Sequence, residues 1–243
     1  MKKKISLLFT IGLFLFLMFL LSTLLSMRAI NNIYFSIYTN EMEISAKKKI
    51  AYYVRNELKE YAALTWLLNY WEKNYAVMDI PVNGLQDKAW LAAHEVFYNA
   101  NVKNISAAEA QALSPTEQKK FAELCYLLNA SLFDTVQRDF DLFGINCFVY
   151  LGNQRAFVFF KSVYNIKNPD FYALGEAMLF TLELHPVAKK IIETGKDVLG
   201  IERATSSLDG LEYMFVSSPV SLNGKLLCII SQSVLWSSVK EKI

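Results

Sequence analysis

Hydrophobic residues form one long uninterrupted run near the start of the chain. From Ile5 to Leu25 no residue is charged, and most are leucine, phenylalanine or isoleucine. At about 1.5 Å of rise per residue, a helix of this length covers roughly 30 Å, the hydrocarbon thickness of a bilayer. A cleaved signal peptide has a shorter apolar region and a small-x-small cleavage site, which "LSTLLSMR" does not provide. The pattern therefore predicts an uncleaved transmembrane anchor in the lipid bilayer over residues 5–27.

Charges on either side of this run predict its orientation. Lys2, Lys3 and Lys4 precede it, whereas Arg28 alone follows it closely. Because positive residues are retained on the cytoplasmic side, residues 1–4 are expected in the cytoplasm and later residues outside. The sequence predicts a single-pass protein of the plasma membrane with an extracytoplasmic domain.

Apolar residues then recur at three- and four-residue steps or their multiples, which predicts a stalk helix over residues 28–75. Neither proline nor glycine occurs between residues 13 and 80. An apolar stripe needs a partner, which is either the domain that the helix carries or the same helix in a second chain. A homodimer through the stalk helix is one of these two alternatives. The stripe consists of Ile30, Ile33, Ile37, Ile44, Val54, Leu58, Tyr61, Leu64 and Leu68.

Breakers and caps divide the middle of the chain. Pro81 and Gly84 end the helical pattern, and a second helical region is expected over 87–102. Ser114, Pro115 and Glu117 have the spacing of an N-cap, first helical position and capping box, which predicts a helix as far as about Phe140.

The second half of the chain changes to strand-like patterns. Ile145–Leu151 and Ala156–Val163 flank "GNQ" and predict a β-hairpin. A short helix closed by Gly195 follows, and then strands over Leu211–Val220 and Lys225–Ser231 joined by the hairpin turn "SLNGK". This order predicts an α+β fold, an antiparallel sheet flanked by helices.

Composition excludes several classes of function. The net charge is only +2, so no nucleic acid is expected as a partner. Cys125, Cys147 and Cys228 lack CxxC spacing and a nearby histidine, which argues against a metal or redox site. Cys147 and Cys228 fall in predicted strands, where buried free thiols are favoured over a disulfide.

The sequence contains no recognisable catalytic constellation. His94 and His185 are the only histidines, and neither has a carboxylate and a nucleophile at a known catalytic spacing. Phosphate-binding glycine loops, zinc-protease motifs and calcium loops are also missing from the sequence. We therefore expect no enzymatic activity, no cofactor and no metal.

Aromatic residues are most concentrated in "LTWLLNYWEKNY". Trp66 and Tyr70 lie four residues apart on one helical face, and Trp71 and Tyr75 on the adjoining face. Such rings pack in cores, and they also form the walls of small-molecule pockets. On the second interpretation, a small-molecule ligand contacts Trp66 and Tyr70. Polar residues in or beside the predicted sheet complete the candidate site: Arg155, Asp170, Tyr172 and Tyr213.

The layout of anchor, rising helix and α+β sheet domain resembles the Cache-type, PAS-like extracytoplasmic sensor domains of bacterial receptors. "TGKDVLGIERATSSLDGLEYMFVSSPVSLNGKLLCIISQSVL" is similar to their membrane-proximal half. "LTWLLNYWEKNY" with "AELCYLLNASLFDTVQRDFDLFGINCFVY" most resembles the input region of sensor histidine kinases. The double-Arg/Trp signature of amine-binding members is not found in "YNIKNPDFYALG".

The resemblance implies a sensor domain over residues 76–236 and the start of an exit helix over 237–243. In the family, a second span and an output module follow, and this chain contains neither. Related input regions also precede diguanylate cyclases and PP2C-type phosphatases. An alternative from another class is an orphan anchored protein-interaction module with "LTWLLNYW" on its surface.

Overall fold

The computed structural model describes residues 2–81, 83–140, 144–152, 155–161, 177–179, 183, 185–196, 198, 200–205 and 210–237. The chain separates into two compact units, the first ending at Ser45 and the second beginning at Ala46. The second unit contains both helices and strands, so the predicted α+β class is confirmed.

The first unit lies within helix α1 (Lys2–Lys59). The segment Phe9–Ile37, 29 residues long, is apolar enough and long enough to cross a membrane, and no other described helix is. Its apolar side chains are exposed, as lipid-facing side chains of a spanning helix would be. The segment overlaps the predicted anchor but extends ten residues further, because apolar residues such as Ile30, Ile33 and Phe35 follow Arg28.

The prediction of one stalk helix through residue 75 is wrong, because α1 ends at Lys59 and α2 (Leu64–Asn74) begins after a short turn. No proline or glycine causes the break. The backbone N–H of Ala62 donates instead to the carbonyl of Lys103 at 2.9 Å. The Lys103 ammonium also contacts the carboxylates of Glu57 and Glu60 at 2.9 and 2.6 Å. These tertiary contacts replace the hydrogen bonds that would continue the helix.

The apolar stripe packs within the second unit over part of its length. Val54, Leu58, Tyr61, Leu64 and Leu68 are all buried there. This part of the stripe therefore has its own domain as its partner.

Short helices connect α2 to the longest helix of the second unit. The region predicted as one helix over 87–102 is instead divided, because His94 ends one helix and starts the next. The helices are α3 (Lys88–Ala93), α4 (Glu95–Tyr98), α5 (Ala107–Ala112) and α6 (Pro115–Asp139), with 3-10 turns at Tyr75–Val77, Gly84–Gln86 and Val102–Asn104.

The predicted start of α6 is confirmed in atomic detail. The Ser114 hydroxyl accepts from the Glu117 N–H, and the Glu117 carboxylate accepts from the Ser114 N–H, with Pro115 at the first helical position. This reciprocal pair satisfies backbone donors that a helix start leaves unpaired. A second capping box, Ser106 with Glu109, starts α5 and was not predicted.

Six strands form one sheet with the order β3-β2-β1-β6-β5-β4. Both predicted hairpins are confirmed, β1 with β2 and β5 with β6, and every described pairing is antiparallel. Asn223 and Gly224 have positive φ of 51° and 76°, the conformation that a two-residue hairpin turn needs. The strands are β1 (Gly144–Gly152), β2 (Arg155–Lys161), β3 (Ala177–Leu179), β4 (Gly200–Thr205), β5 (Glu212–Leu222) and β6 (Lys225–Leu235).

Each face of the sheet contacts different helices. The inner face, defined by Ile145, Cys147, Cys228 and Ile230, joins the main core with α1, α2 and α6. The outer face, defined by Phe148 and Ile229, packs against Ala188 and Ile191 of α7 (Pro186–Thr194). Gly195 ends α7 with φ of 61°, as the sequence predicts.

Candidate ligand-binding site

The structure places the predicted site residues on different elements. Trp66 and Tyr70 lie on α2, Arg155 begins β2, and Tyr213 lies on β5. Asp170 and Tyr172 lie outside the described residues. The structure brings Trp66 and Tyr70 together, and it places Tyr213 on the outer face of the sheet. The α2 pair packs instead on the main core, which the inner face joins.

The predicted aromatic pair on α2 is formed. The rings of Trp66 and Tyr70 stack with centroids 5.0 Å apart and planes inclined by 25°. The Trp66 indole N–H donates to Gln111 Oε1 at 3.0 Å, and the buried ring of Phe121 lies 5.8 Å away. Both rings are half-buried, so the pair offers accessible aromatic surface over the helical core.

The second aromatic face of α2 belongs to the core. Trp71 is only 1% exposed, and its indole N–H donates to the carbonyl of Ala122 at 3.0 Å. Its ring packs edge-on against Tyr126 at 5.8 Å. The alternative prediction that the whole of "LTWLLNYW" lies on the surface is therefore wrong, because half of this helix faces inward.

A buried acid lies near the aromatic pair. Burial and the charge of Glu123 raise the pKa of Tyr70, so the tyrosine remains a neutral hydroxyl at physiological pH. Glu123 lies on α6 and is 2% exposed. The helical layer thus combines aromatic surface with a polar group beneath it.

Tyr213 belongs to an aromatic group on the outer face. It is 3% exposed, and its ring lies 6.2 Å from that of Phe215. His185, immediately before α7, packs edge-on against Phe215 at 5.5 Å. The start of α7 therefore covers the Tyr213 end of β5.

Beside these rings, small polar side chains cross the outer face in a row. The strand register places Asn146 opposite Ser231, and Ser231 opposite Ser217. Ser217 is 2% exposed, yet it lies in a strand whose neighbouring residues are mostly apolar. Ser233, one step along β6 on the same face, is also buried and donates to the carbonyl of Gly144 at 3.4 Å. We call Asn146, Ser217, Ser231 and Ser233 the polar row.

One atom of the polar row is buried without a hydrogen bond. The side-chain oxygen Oδ1 of Asn146 is inaccessible and has no partner. A buried amide oxygen in this state costs about 1–3 kcal/mol, so folded proteins rarely keep one without a functional reason. The row therefore has the polar groups that orient a small ligand against a sheet.

Sequence reasoning missed the polar row, although a signal was present. "VSSPV" and "ISQSV" interrupt two otherwise apolar strands with hydroxyl side chains. Alternation alone places every second residue on the same face, so Ser217, Ser231 and Ser233 could have been grouped. Their apposition with Asn146 required the strand order, which brings β1 next to β6.

The described part of the chain holds no group of three or more histidine, cysteine, aspartate or glutamate residues that could bind a metal ion. The polar row itself consists of hydroxyls and an amide, which donate and accept hydrogen bonds without changing charge. This chemistry suits recognition of a small polar molecule.

Comparisons with known proteins give weak structural matches. The sensory domain of the Campylobacter jejuni chemoreceptor Tlp3 with isoleucine bound aligns at 9% identity and a TM-score of 0.32, covering 78% of this chain and 65% of that one. The ligand-binding domain of the same receptor with 4-methylisoleucine aligns at 7% identity and a TM-score of 0.33, covering 79% and 62%.

This chain thus spans slightly less than two thirds of the length of those two chains. No protein-family model matches the chain, and no curated protein matches it. Alignments with TM-scores this low support no transfer of function, so function is argued here from the geometry of the chain itself.

Proposed function

We propose that the chain is the membrane-anchored, extracytoplasmic sensing region of a signal-transduction receptor, and that it binds a small polar molecule on the outer face of its sheet. The polar row carries the proposal, because it places buried hydroxyls and a partnerless amide oxygen between strands. The spanning segment at the N-terminus supports the anchored part of the proposal.

In this proposal the ligand contacts Tyr213 and the polar row under the cover of α7. A ligand that binds two conformations of the sheet unequally shifts their populations, which is all that signalling requires. The output is proposed to be of the histidine-kinase type, with a diguanylate cyclase or a PP2C-type phosphatase as the alternative. Catalysis would belong to that output and not to residues of this chain.

Binding is tested on the full chain in lipid nanodiscs by thermal shift against a library of small polar metabolites, followed by calorimetry. The chain offers a matched pair of variants, because Ser217 and Ser218 are adjacent, buried and on opposite faces of β5. Ser217→Ala removes one hydrogen bond to the ligand and should weaken binding about 2–10-fold, whereas Ser218→Ala should not.

Equal effects of the two substitutions on binding would contradict a site on the outer face. Failure of every library member to shift the melting temperature would argue against ligand sensing as a whole. Trp66→Ala tests the rival site on α2, since weakening by that variant alone would move the site to the helical layer.

Orientation is tested with a single cysteine on the exposed surface. Val96 is 81% exposed, whereas the three native cysteines are at most 1% exposed. Val96→Cys should react with a membrane-impermeant maleimide in intact cells, and the unsubstituted chain supplies the background. Reaction only after permeabilisation would place the domain in the cytoplasm and contradict the proposal.

A further inference from the structure

The helical layer contains a buried carboxylate in a closed hydrogen-bonded circuit. Glu123 on α6 lies 3.0 Å through Oε2 from Nε2 of His94, and both side chains are at most 5% exposed. The other carboxylate oxygen, Oε1, accepts from the backbone N–H of Asp79. Lys119, one turn earlier on α6, approaches Oε1 at 3.5 Å from the surface.

Trp90 completes the circuit on the other side of the histidine. Its carbonyl lies 2.7 Å from Nδ1 of His94, and its indole N–H donates to the carbonyl of Asp79 at 2.8 Å. The Trp90 ring also stacks on the imidazole, with centroids 3.6 Å apart and planes inclined by 18°. Asp79, Trp90, His94 and Glu123 thus hold the start of α3 against α6.

The hydrogen-bond inventory determines the protons on His94. A backbone carbonyl can only accept, so Nδ1 must carry a proton to bond with Trp90. The carboxylate of Glu123 also accepts, so Nε2 must carry a second proton. An imidazole with both nitrogens protonated is a cation, and the indole face of Trp90 attracts a cation that lies over it.

We infer that His94 and Glu123 form a proton-binding site, in which the proton shared between Nε2 and Oε2 fastens α3 to α6. The inference concerns a second site and does not depend on ligand binding at the outer face. The ligand is the proton itself, and the domain takes it up as α3 docks.

The charged groups around the pair act in a consistent direction. Glu123 and Lys119 face the pair from α6, and Tyr70 faces Glu123 from α2 as a neutral hydroxyl. On the segment that carries His94, the Asp87 carboxylate is occupied by the Trp90 N–H as the N-cap of α3. Lys88 and Glu95 are exposed to solvent. The ionised Glu123 is therefore the anion in direct contact with the histidine cation.

Removal of the proton breaks the fastening. The lone pair of neutral Nε2 would then face the carboxylate, and a buried negative charge would lose its partner. An unfolded histidine releases its proton near pH 6.5. A folded chain that keeps the proton is therefore stabilised below that pH and loses this contribution as the pH rises above it.

Nuclear magnetic resonance of the full chain in nanodiscs reads the proton directly. The chain has two histidines, so selective isotope labelling gives two imidazoles, and His185→Gln assigns them. At about pH 7.5, where an unperturbed histidine is mostly neutral, we expect N–H signals from both ring nitrogens of His94. A single protonated nitrogen on His94 would overturn the inference.

A variant tests the link to stability. His94→Gln keeps an amide donor for Glu123 but cannot titrate, so the melting temperature should no longer fall between about pH 6 and 8. His185→Gln is the matched control and should retain the dependence. An unchanged pH dependence in His94→Gln would contradict the inference, and the resonance measurement on the unsubstituted chain decides the matter if that variant does not fold.

Discussion

At the scale of single residues, the inner face of the sheet holds a polar group that its surroundings do not satisfy. Gln232 lies on the central strand β6, is fully buried, and neither its amide oxygen nor its nitrogen has a hydrogen-bond partner. Its strand neighbours across the sheet are Ile145 and Val216, both apolar. The amide loses its hydration on folding and receives nothing in exchange.

Gln232→Leu is therefore expected to stabilise the fold by about 1–3 kcal/mol, the usual desolvation cost of an unpaired buried group. Asn129→Leu is the control, because the Asn129 amide is buried but donates to the carbonyl of Cys125 at 2.7 Å. That substitution should destabilise or be neutral. Thermal unfolding of both variants distinguishes them, and a loss of stability in Gln232→Leu would show that its amide is hydrogen-bonded in solution.

At the scale of elements, the start of α6 is fixed by local chemistry. The hydroxyl and the backbone N–H of Ser114 both donate to Glu117 and lower the pKa of its carboxyl. The stabilisation from this carboxylate is present above the pKa of an unfolded glutamate and is lost as the pH falls through the lowered folded value.

Ser114→Ala should cost about 1 kcal/mol, as loss of an N-cap usually does, and should flatten the fall in stability at acid pH. Thermal melts of the variant and the unsubstituted chain between about pH 3 and 7 measure both effects. Ser106→Ala removes the equivalent cap of the six-residue helix α5 and serves as the comparison. An acid dependence unchanged in Ser114→Ala would show that other carboxylates dominate it.

At the scale of the whole second unit, one core joins helices and sheet. The same buried cluster contains Leu58 of α1, Trp71 of α2, Cys125 of α6 and Ile230 of β6. Burial raises the pKa of the Cys125 thiol, and burial with contact from Cys228 raises that of Cys147, so all three thiols are unreactive in the folded state.

Because one core contains all three thiols, they should become reactive together in a single unfolding transition. Thiol labelling of the full chain along a urea gradient measures this, with variants that each keep one cysteine. Labelling of Cys125 at a lower urea concentration than Cys147 and Cys228 would show that the helical layer unfolds separately from the sheet.

Local patterns account for much of the architecture. The capped start of α6, the closure of α7 at Gly195 and both hairpins depend on interactions between residues close in sequence, so the sequence predicts them. The pairing of Trp66 with Tyr70 likewise follows from helical spacing alone. The break between α1 and α2 was not predictable in this way, because it depends on Lys103, more than forty residues away from the turn.

The sequence by itself determined the membrane-length apolar segment, the α+β class and the aromatic pair on α2, because each follows from periodicity or from short-range bonding. Only the tertiary structure decided which polar residues meet. The polar row requires β1 to lie beside β6, and the proton site requires α3 to dock on α6. Such contacts join residues distant along the chain, and no local pattern specifies which strands or helices become neighbours.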